Sequence, residues 1–273
     1  MNDGKGMDRK MRKTKAIATI LLAATTLATT ASPYFAKTDV AITAAPVGCK
    51  EYKVKMKKLG TVTVYGPWYE KTVENLSRNA KGRASDVIAV AKTQVGYVGP
   101  IIKNIRVSYF GNAWRPEISA YNYVADGNKE KSSWCSEFAF WCLSKAKVIP
   151  ETAKLTNVET FRNYFRNSAY KFHASANNST KTRATISKNW FKNVPSKGTL
   201  KLKDLKSGDI LQICTDTSQG QPHHTAIFVS RSGDNNVKVL EGNKKVSGLS
   251  QSQVQYGTYA AHDVIAVLRP NYK

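Results

Sequence analysis

The chain has 273 residues, of which 41% are hydrophobic, so it is long enough to form one sizeable domain with a core. This hydrophobic content excludes a chain that stays unfolded for lack of apolar side chains. The formal net charge is +23 at pH 7, from 42 basic and 19 acidic residues. The lysines are scattered and no nucleic-acid-binding motif accompanies them, so we expect no specific nucleic-acid partner.

The first residues of the chain resemble a secretory signal. A basic segment, MDRKMRKTK, precedes an apolar run of sixteen residues, AIATILLAATTLATTA. The run is shorter than a membrane span of roughly 20 residues, and Thr29-Thr30-Ala31 offers a small-residue cleavage site. We assign residues 1–36 to a signal peptide and expect a secreted protein with no membrane association after cleavage. A retained N-terminal anchor is the alternative.

The chain would remain strongly basic after cleavage. Removal of residues 1–31 takes away six basic and two acidic residues and leaves a formal charge of +19. So large an excess favours association with polyanions at low salt. Outside a cell, these polyanions are wall polymers, anionic lipids or stray nucleic acid. A soluble, lysine-coated surface is the alternative.

Residues 37–83 are predicted to be a basic extension or linker ahead of the main domain. Val54 and Met56, and then Val62 and Val64, alternate with polar residues around a Leu-Gly pair. This alternation is typical of a small hairpin, although a simple tether is equally consistent with it.

The main domain is predicted to span residues 84–273 and to begin with a helix. Ser85-Asp86 can cap this helix, and Gly96 can end it. Between them, the apolar residues from Val87 to Val95 fall at helical spacing.

The rest of the domain changes from helical to alternating periodicity. A helix that follows Ser132-Ser133 ends at Pro150, and a further helix is predicted near 156–168. Four segments with strand periodicity follow: GDILQIC (208–214), HHTAIFVSR (223–231), NVKVLEGN (236–243) and DVIAVLRP (263–270). Helices followed by a mostly antiparallel sheet define an α+β fold class.

The helix after Ser133 carries two of the four cysteines. Its apolar positions form one predicted stripe: Cys135, Phe138, Ala139, Cys142, Leu143 and Ala146. Cys142 lies mid-helix, where a cysteine is typically a small core residue. Cys135 lies in the first turn, where backbone N–H groups and the helix dipole favour a thiolate and can bind an oxyanion.

Disulfides and metal sites are not expected from the cysteines. A chain of this size does not need covalent cross-links for stability, and the sequence around Cys135 indicates another use for a thiol. The sequence has no C-x2-C pair and no His/Cys cluster with zinc spacing, so we expect no metal and no cofactor.

A cysteine nucleophile needs a base, and the strand that begins HHTAIFV carries two of the four histidines. Alternate strand residues face opposite sides, so only one of the pair can reach the thiol. If the following turn, RSGDN, centres near residue 234, His224 falls opposite residue 244, beside Asn243 and diagonal to Glu241. Either Glu241 or Asn243 could then hold the imidazole in the useful tautomer.

The segments WCSEFAFWC, SGDIL, HHTAIFV and VLEGN occur in an order that resembles the CHAP family, the cysteine, histidine-dependent amidohydrolases/peptidases. The resemblance covers residues 84–270 and includes the 17-residue spacing between His224 and Glu241. It implies a papain-like fold of the NlpC/P60 superfamily, in which N-terminal helices carry the cysteine and the sheet carries the histidine. By position, Cys135 resembles the nucleophile, His224 the base, and Glu241 and Asn243 the polar residues that complete the site.

Three further features belong to this comparison. Gly208-Asp209 resembles the turn and strand that precede the histidine strand in the family. The family usually has glycine where this chain has Ala226. The separation of Cys135 from His224 is long, which implies an insertion near 165–200 that shapes the substrate groove.

The resemblance implies a secreted peptidoglycan hydrolase that cleaves an amide bond without a cofactor. The bond would be that of an N-acetylmuramoyl-L-alanine amidase or of a stem or crossbridge endopeptidase. The expected partners are peptidoglycan and anionic wall polymers, and we expect a monomer associated with the cell wall. The alternatives are a toxin or protein hydrolase of the same fold, and a non-enzymatic wall-binding protein.

Overall fold

The computed structural model describes most of the chain after residue 50. The described residues are 51–56, 60–65, 67–99, 102–103, 134–173, 181–245 and 252–273. They all belong to one compact unit, which comprises residues 42–105 and 115–273. A second unit, residues 1–41 and 106–114, lies outside the described residues, as does the predicted signal peptide at 1–36.

The described residues combine helices with a larger number of strands. The helices are α1 (Glu70–Asn79), α2 (Ala84–Thr93), α3 (Cys135–Lys145), α4 (Val158–Tyr164) and α5 (Lys181–Trp190). The strands are β1 (Glu51–Met56), β2 (Gly60–Tyr65), β3 (Val98–Gly99), β4 (Ile102–Lys103), β5 (Ala169–Phe172), β6 (Thr199–Leu200), β7 (Ile210–Ile213), β8 (His224–Ser232), β9 (Asn236–Lys245), β10 (Ser252–Ala260) and β11 (Val264–Leu268). Within these ranges, every helix is too short or too polar to cross a bilayer.

The strands form two sheets. The larger has the order β3-β10-β9-β8-β7-β11-β5-β6, and its neighbours are antiparallel except for the parallel pair β5 and β6. The predicted α+β class with a mostly antiparallel sheet is therefore confirmed. The smaller sheet has the order β1-β2-β4, and β1 pairs with β2 as an antiparallel hairpin within the predicted extension 37–83.

Helix α3 is buried on all sides. Ten of its eleven residues are buried, including the polar residues Ser136, Glu137 and Ser144. It packs against β8 and β9 on the sheet and against α1 and α2 among the helices. A single apolar stripe is therefore too narrow a description, because helices that surround a central helix also bury the side facing away from the sheet.

The compact unit begins before residue 84. Val73 of α1 is 3% exposed and belongs to the same core cluster as α3. The backbone of Trp68 is held by the side chain of Gln94, which accepts from the Trp68 N–H at 2.9 Å and donates to its carbonyl at 2.7 Å. The later part of the segment predicted as an extension or linker therefore packs in the same core as α3.

The main sheet has an apolar cluster on each face. Ile210, Ile227 and Leu240 are neighbours across β7, β8 and β9 and pack in the same cluster as α3. The adjacent pair, Leu211 and Ala226, belongs to a second cluster. Because successive strand residues point to opposite faces, the two clusters lie on opposite sides of the sheet.

A close contact at Gly242 determines how near the sheet lies to α3. A Cβ atom on Gly242 would lie 2.6 Å from an indole carbon of Trp134 and 2.7 Å from the Cβ of Phe138. Only glycine fits between the strand and the start of the helix at this distance. The contact fixes the helix start against β9.

We expect Gly242→Ala to lower the free energy of unfolding by about 1–3 kcal/mol, because the added methyl group overpacks this contact. Urea denaturation measures the change. Ser230→Thr is the control, since it adds a methyl group at an exposed position of β8 and should change the stability by less than about 0.5 kcal/mol. Equal effects of the two substitutions would show that the strand can move away from the helix without cost.

Candidate active site

Cys135 is the first residue of α3 and lines an open cleft. The residue is 2% exposed, and α3 begins immediately after Trp134. Its thiol shares a hydrogen bond with the side chain of His224. The helix therefore presents the thiol at its N-terminal end, where the dipole favours a negative charge.

His224 is the first residue of β8, and Glu241 holds its ring. The His224 Nε2 atom lies 2.6 Å from Glu241 Oε2, so Nδ1 is the ring nitrogen left for the thiol. Glu241 is 0% exposed. Cys135, His224 and Glu241 thus form a continuous line from the start of the helix into the sheet.

A β-bulge sets the register that aligns His224 with Glu241. Near the turn, β8 and β9 pair as Ser230↔Lys238, as expected for a turn centred near residue 234. The register then shifts by one residue, to Phe228↔Val239. If the shifted register continues to the start of β8, residue 243 falls opposite His224. The unshifted register would place residue 244 there.

Asn243 is not joined to the imidazole in this structure. Its backbone has a left-handed φ of 59°, and its Oδ1 atom is buried without a hydrogen-bond partner among the described residues. Of the two predicted orienting residues, Glu241 is the one that contacts His224. Asn243 lies two residues further along β9 than Glu241.

The geometry favours a thiolate and an imidazolium. Burial opposes ionisation of Cys135, but the positive charge and hydrogen bond of His224, with smaller contributions from Thr225 and Ser136, lower the pKa of the thiol. Burial also disfavours the imidazolium, yet Cys135 and Glu241 outweigh it and raise the pKa of His224 to about 9. Both shifts favour transfer of the thiol proton to His224, which is the arrangement that would make Cys135 a candidate nucleophile.

Glu241 is held in its ionised form by three neighbours. Burial would raise the pKa of this carboxyl, but hydrogen bonds from His224 and Tyr259 and the charge of Lys244 lower it. The Tyr259 hydroxyl donates to Glu241 Oε2 and accepts a hydrogen bond of 2.9 Å from Lys244 Nζ. Burial and the adjacent carboxylate raise the pKa of Tyr259, so the hydroxyl keeps the proton that it donates.

Gly257 of β10 makes room for this carboxylate. A Cβ atom at residue 257 would overlap Glu241 Oε1 and would lie 2.7 Å from the carboxyl carbon. Any larger side chain would push Glu241 away from the histidine.

Buried hydroxyl groups fasten the start of α3 to the sheet. Ser136 Oγ lies 2.8 Å from Thr225 Oγ1, and Gln212 Nε2 donates to the same threonine oxygen at 3.1 Å. All three residues are almost fully buried. Because Ser136 and Thr225 directly follow Cys135 and His224, this bond restricts the separation of the thiol and the imidazole.

His223 also reaches the cleft but has a different environment. Its Nε2 atom lies 3.1 Å from Thr215 Oγ1, and its pKa is lowered by burial and by the charge of His224. The structure thus brings His224 rather than its neighbour onto the thiol. The other two histidines, His173 and His262, lie away from this cleft and line a second cavity.

The cleft beside Cys135 has a volume of about 440 Å³. Its walls come from α3, α4, α5 and the loop before β8. Besides Cys135 they include Asn157, Glu159, Arg162, Asn189, Trp190, Gln221 and His223. Asn189 and Trp190 of α5 belong to the segment 165–200, whose description as an insertion remains a prediction.

The other thiols have no comparable partners. Cys142 is buried in the core, and burial raises its pKa well above the ordinary value. Burial also raises the pKa of Cys214, and both cysteines are free thiols. Within the described ranges, no three His, Cys, Asp or Glu side chains gather as metal ligands. Cys49 lies outside these ranges.

Gly208-Asp209 has a structural role just before β7, beside the middle of β8. The Asp209 carboxylate accepts two hydrogen bonds from Arg269, at 2.8 and 2.7 Å, and the Gly208 N–H donates to the Phe228 carbonyl. The motif closes the β7–β8 pair and does not reach the thiol.

Tyr259 and Lys244 were not among the residues predicted from the sequence. Tyr259 lies on β10, a strand whose polar, glycine-containing sequence SQVQYGTYA was not predicted. The alternation of Val254, Tyr256 and Thr258 was the available signal. No local pattern indicates that β10 pairs with β9 beside Glu241.

Comparisons with known proteins find no relative of the chain. It matches no protein-family model, no curated protein and no solved structure. A functional interpretation therefore depends on the residues of the cleft and their geometry.

We expect iodoacetamide at pH 7 to modify Cys135 at least about a hundredfold faster than Cys142, because only Cys135 has a lowered pKa and an open cleft. Peptide mass spectrometry of the folded protein measures both rates in the same sample. In a His224→Ala variant, the reaction of Cys135 should require a higher pH, since the thiolate loses its cationic partner. Equal rates at the two cysteines would rule out an activated Cys135.

The rate of Cys135 alkylation should fall as the pH is lowered, and we expect Tyr259→Phe to move this fall to higher pH. Loss of the hydroxyl raises the pKa of Glu241, so the imidazolium and hence the thiolate lose their stabilisation at a higher pH. Tyr256→Phe on the same strand is the matched control, because Tyr256 is 39% exposed and its ring contacts Lys238 rather than the site. Identical pH profiles for the two variants would remove Tyr259 from the network.

Proposed function

We propose that this protein is a secreted cysteine hydrolase that cleaves an amide bond in bacterial peptidoglycan. The observation that carries the proposal is the line Cys135–His224–Glu241, in which a helix-start thiol meets an imidazole held by a buried carboxylate. Such a line is the arrangement used by cysteine nucleophiles in acyl transfer.

The proposal includes a papain-like version of the α+β fold. It is supported by a nucleophile on the first residue of a central helix and a base on the first residue of an antiparallel strand. The order of the motifs around Cys135, His224 and Glu241 resembles the CHAP family, and this resemblance directs the proposal towards the cell wall.

The first half of the proposed reaction is acylation of the cysteine. The Cys135 thiolate attacks the amide carbonyl carbon, and the oxygen takes up the negative charge. The backbone N–H of Cys135, at the positive end of the helix dipole, is the donor proposed for this oxyanion. As the carbon–nitrogen bond breaks, the imidazolium of His224 gives its proton to the leaving amine, and a thioester remains.

The second half is hydrolysis of the thioester. His224 is now neutral and takes a proton from a water molecule, whose oxygen attacks the thioester carbonyl. The carboxylic acid product leaves, and the thiolate–imidazolium pair is restored. Since the reactive pair needs a protonated histidine, activity should fall as the pH rises through the His224 pKa of about 9.

The cleft supports a peptide substrate of mixed polarity. Side-chain amides of Asn157, Asn189 and Gln221 can bond to peptide groups, and Trp190 offers an apolar surface. Arg162 lies 3.0 Å from Glu159 and can bind a substrate carboxylate at the same wall. The products of digestion distinguish the bond cleaved by an amidase from the bond cleaved by an endopeptidase.

The proposed place of action is the bacterial wall outside the cell. The N-terminal residues 1–36 support secretion by their composition, and the formal charge of +19 that remains after their removal, +23 less six basic and two acidic residues, supports attraction to anionic wall polymers. We propose that the protein acts there as a monomer without a cofactor.

Purified peptidoglycan incubated with the protein should release defined fragments, each with a new amine and a new carboxyl group. Mass spectrometry of the soluble products identifies the bond. Cys135→Ser should abolish release, and His224→Ala should lower the rate by at least about a thousandfold, because both residues act in one unit. His223→Ala should cost far less.

The matched control is Cys142→Ala, which removes the other thiol of α3 without touching the cleft and should retain activity wherever the protein stays folded. Glu241→Gln should reduce turnover with little change in secondary structure measured by circular dichroism. If the protein cleaves an unfolded protein substrate and not peptidoglycan, the proposed wall hydrolase is wrong and a protein hydrolase takes its place as the proposed function. If the protein binds cell walls and releases no peptidoglycan fragment, the remaining interpretation is a non-enzymatic wall-binding protein.

A further inference from the structure

A second cavity lies beside α5 and is lined by basic side chains. Its volume is about 270 Å³. The charged and titratable residues in its wall are Lys171, His173, Arg183, Lys188 and His262, and hydroxyl groups come from Ser187 and Thr199. The wall also includes the buried residues Phe172, Val264 and Ile265 and the exposed residue Ala184. None of the residues that line the cavity carries a carboxylate.

Arg183 is a fixed part of this wall. Its Nη1 atom donates to the carbonyl groups of Cys214 and His262 at 2.8 and 2.9 Å. Its Nη2 atom forms an ion pair of 2.9 Å with Asp263. These contacts restrict the guanidinium to one orientation, so a ligand would meet a preorganised cation.

Lys171 and Lys188 supply the adaptable charges. Both are exposed, and they come from different elements, β5 and α5. Asp263 offsets the charge of Arg183. Among the described residues, no carboxylate forms an ion pair with either lysine, so these two are the cavity's uncompensated cations within that part of the chain. Lysine ammonium groups donate up to three hydrogen bonds each and bind phosphate as point charges.

The size of the cavity indicates a single small anionic group. At about 270 Å³ it is just below the range of roughly 300–1,000 Å³ usual for sites that enclose a drug-sized ligand. The two lysines, the two histidines and the two hydroxyl groups match the several oxygen atoms of a phosphate. Its aromatic residue, Phe172, is 9% exposed and offers no platform for a stacked base.

We propose that this cavity binds a phosphate group of a polyol-phosphate polymer. The ligand is held by Lys171 and Lys188, with Arg183 as a fixed positive wall. The site shares no residue with the cleft of Cys135. Phosphate binding in this cavity therefore does not depend on hydrolysis, whereas the choice of a polyol-phosphate polymer rests on the proposed place of action at the bacterial wall.

The test measures binding of inorganic phosphate and of poly(glycerol phosphate) to the full chain by isothermal titration calorimetry. The double variant Lys171→Ala, Lys188→Ala should weaken phosphate binding by roughly tenfold or more, because it removes both uncompensated cations. The slope of the logarithm of the polymer binding constant against the logarithm of the salt concentration should also become less steep by about 1–2, because roughly one to two fewer counterions are released.

The matched control is Lys71→Ala, Lys92→Ala, which removes the same charge from exposed positions of α1 and α2, away from the cavity. It should change phosphate affinity by less than about twofold, since well-separated surface charges are screened. Equal losses in the two double variants would overturn the site and leave only a diffuse basic surface.

Two further arms separate the remaining outcomes. Cys135→Ser should bind phosphate and polymer as the wild type does, so a failure of hydrolysis and a failure of this site are distinguishable. Single-stranded oligothymidylate of equal charge should bind more weakly than the polymer. The opposite result would be tighter binding of the oligonucleotide than of the polymer, with loss of this binding in the Lys171→Ala, Lys188→Ala variant. It would overturn the polyol phosphate as the ligand and indicate a nucleic acid instead.

Discussion

The close approach of β9 to the first turn of α3 at Gly242 is the constraint on which the candidate site depends. Gly242 contacts Trp134, the residue before the thiol, and directly follows Glu241, the residue that holds the imidazole. One backbone contact therefore positions both ends of the Cys135–His224–Glu241 line. The buried bond between Ser136 and Thr225 fixes the same separation from the side of β8.

A buried charge network is stable here because each member has a partner. An isolated carboxylate at the depth of Glu241 would be costly, but it faces an imidazolium and a phenol hydroxyl, with an ammonium group 3.8 Å away. The same lack of water that makes burial costly strengthens these contacts. The thiolate is thus stabilised by a chain of groups that reaches from the open cleft through the sheet to the partly exposed Lys244.

The sequence predicts the central parts of this arrangement because they are local. Helical spacing places Cys135 in a first turn, and strand alternation separates His224 from His223 and puts Glu241 and Asn243 on one face. A register shift between Phe228 and Ser230, which no turn motif indicates, puts Glu241 on the face of His224. The sequence could not choose Glu241 over Asn243, because the choice depends on which side chain bonds to the imidazole. It also missed α1 and β10, whose sequences are largely polar and whose packing partners, α2 and α3 for α1 and β9 for β10, are distant features that no local pattern indicates. Papain-like topology, substrate and secretion remain proposals.

Gly257 gives the candidate site a weak point that lies outside the reacting groups. Its missing side chain is the space that Glu241 occupies, so one additional methyl group on β10 would displace the carboxylate while the cysteine, the histidine and the glutamate all remain in the sequence. A related chain could therefore keep Cys135, His224 and Glu241 and still lack their alignment. In a set of related sequences, residue 257 would distinguish chains that can form the candidate site from chains that cannot, where the three residues alone do not.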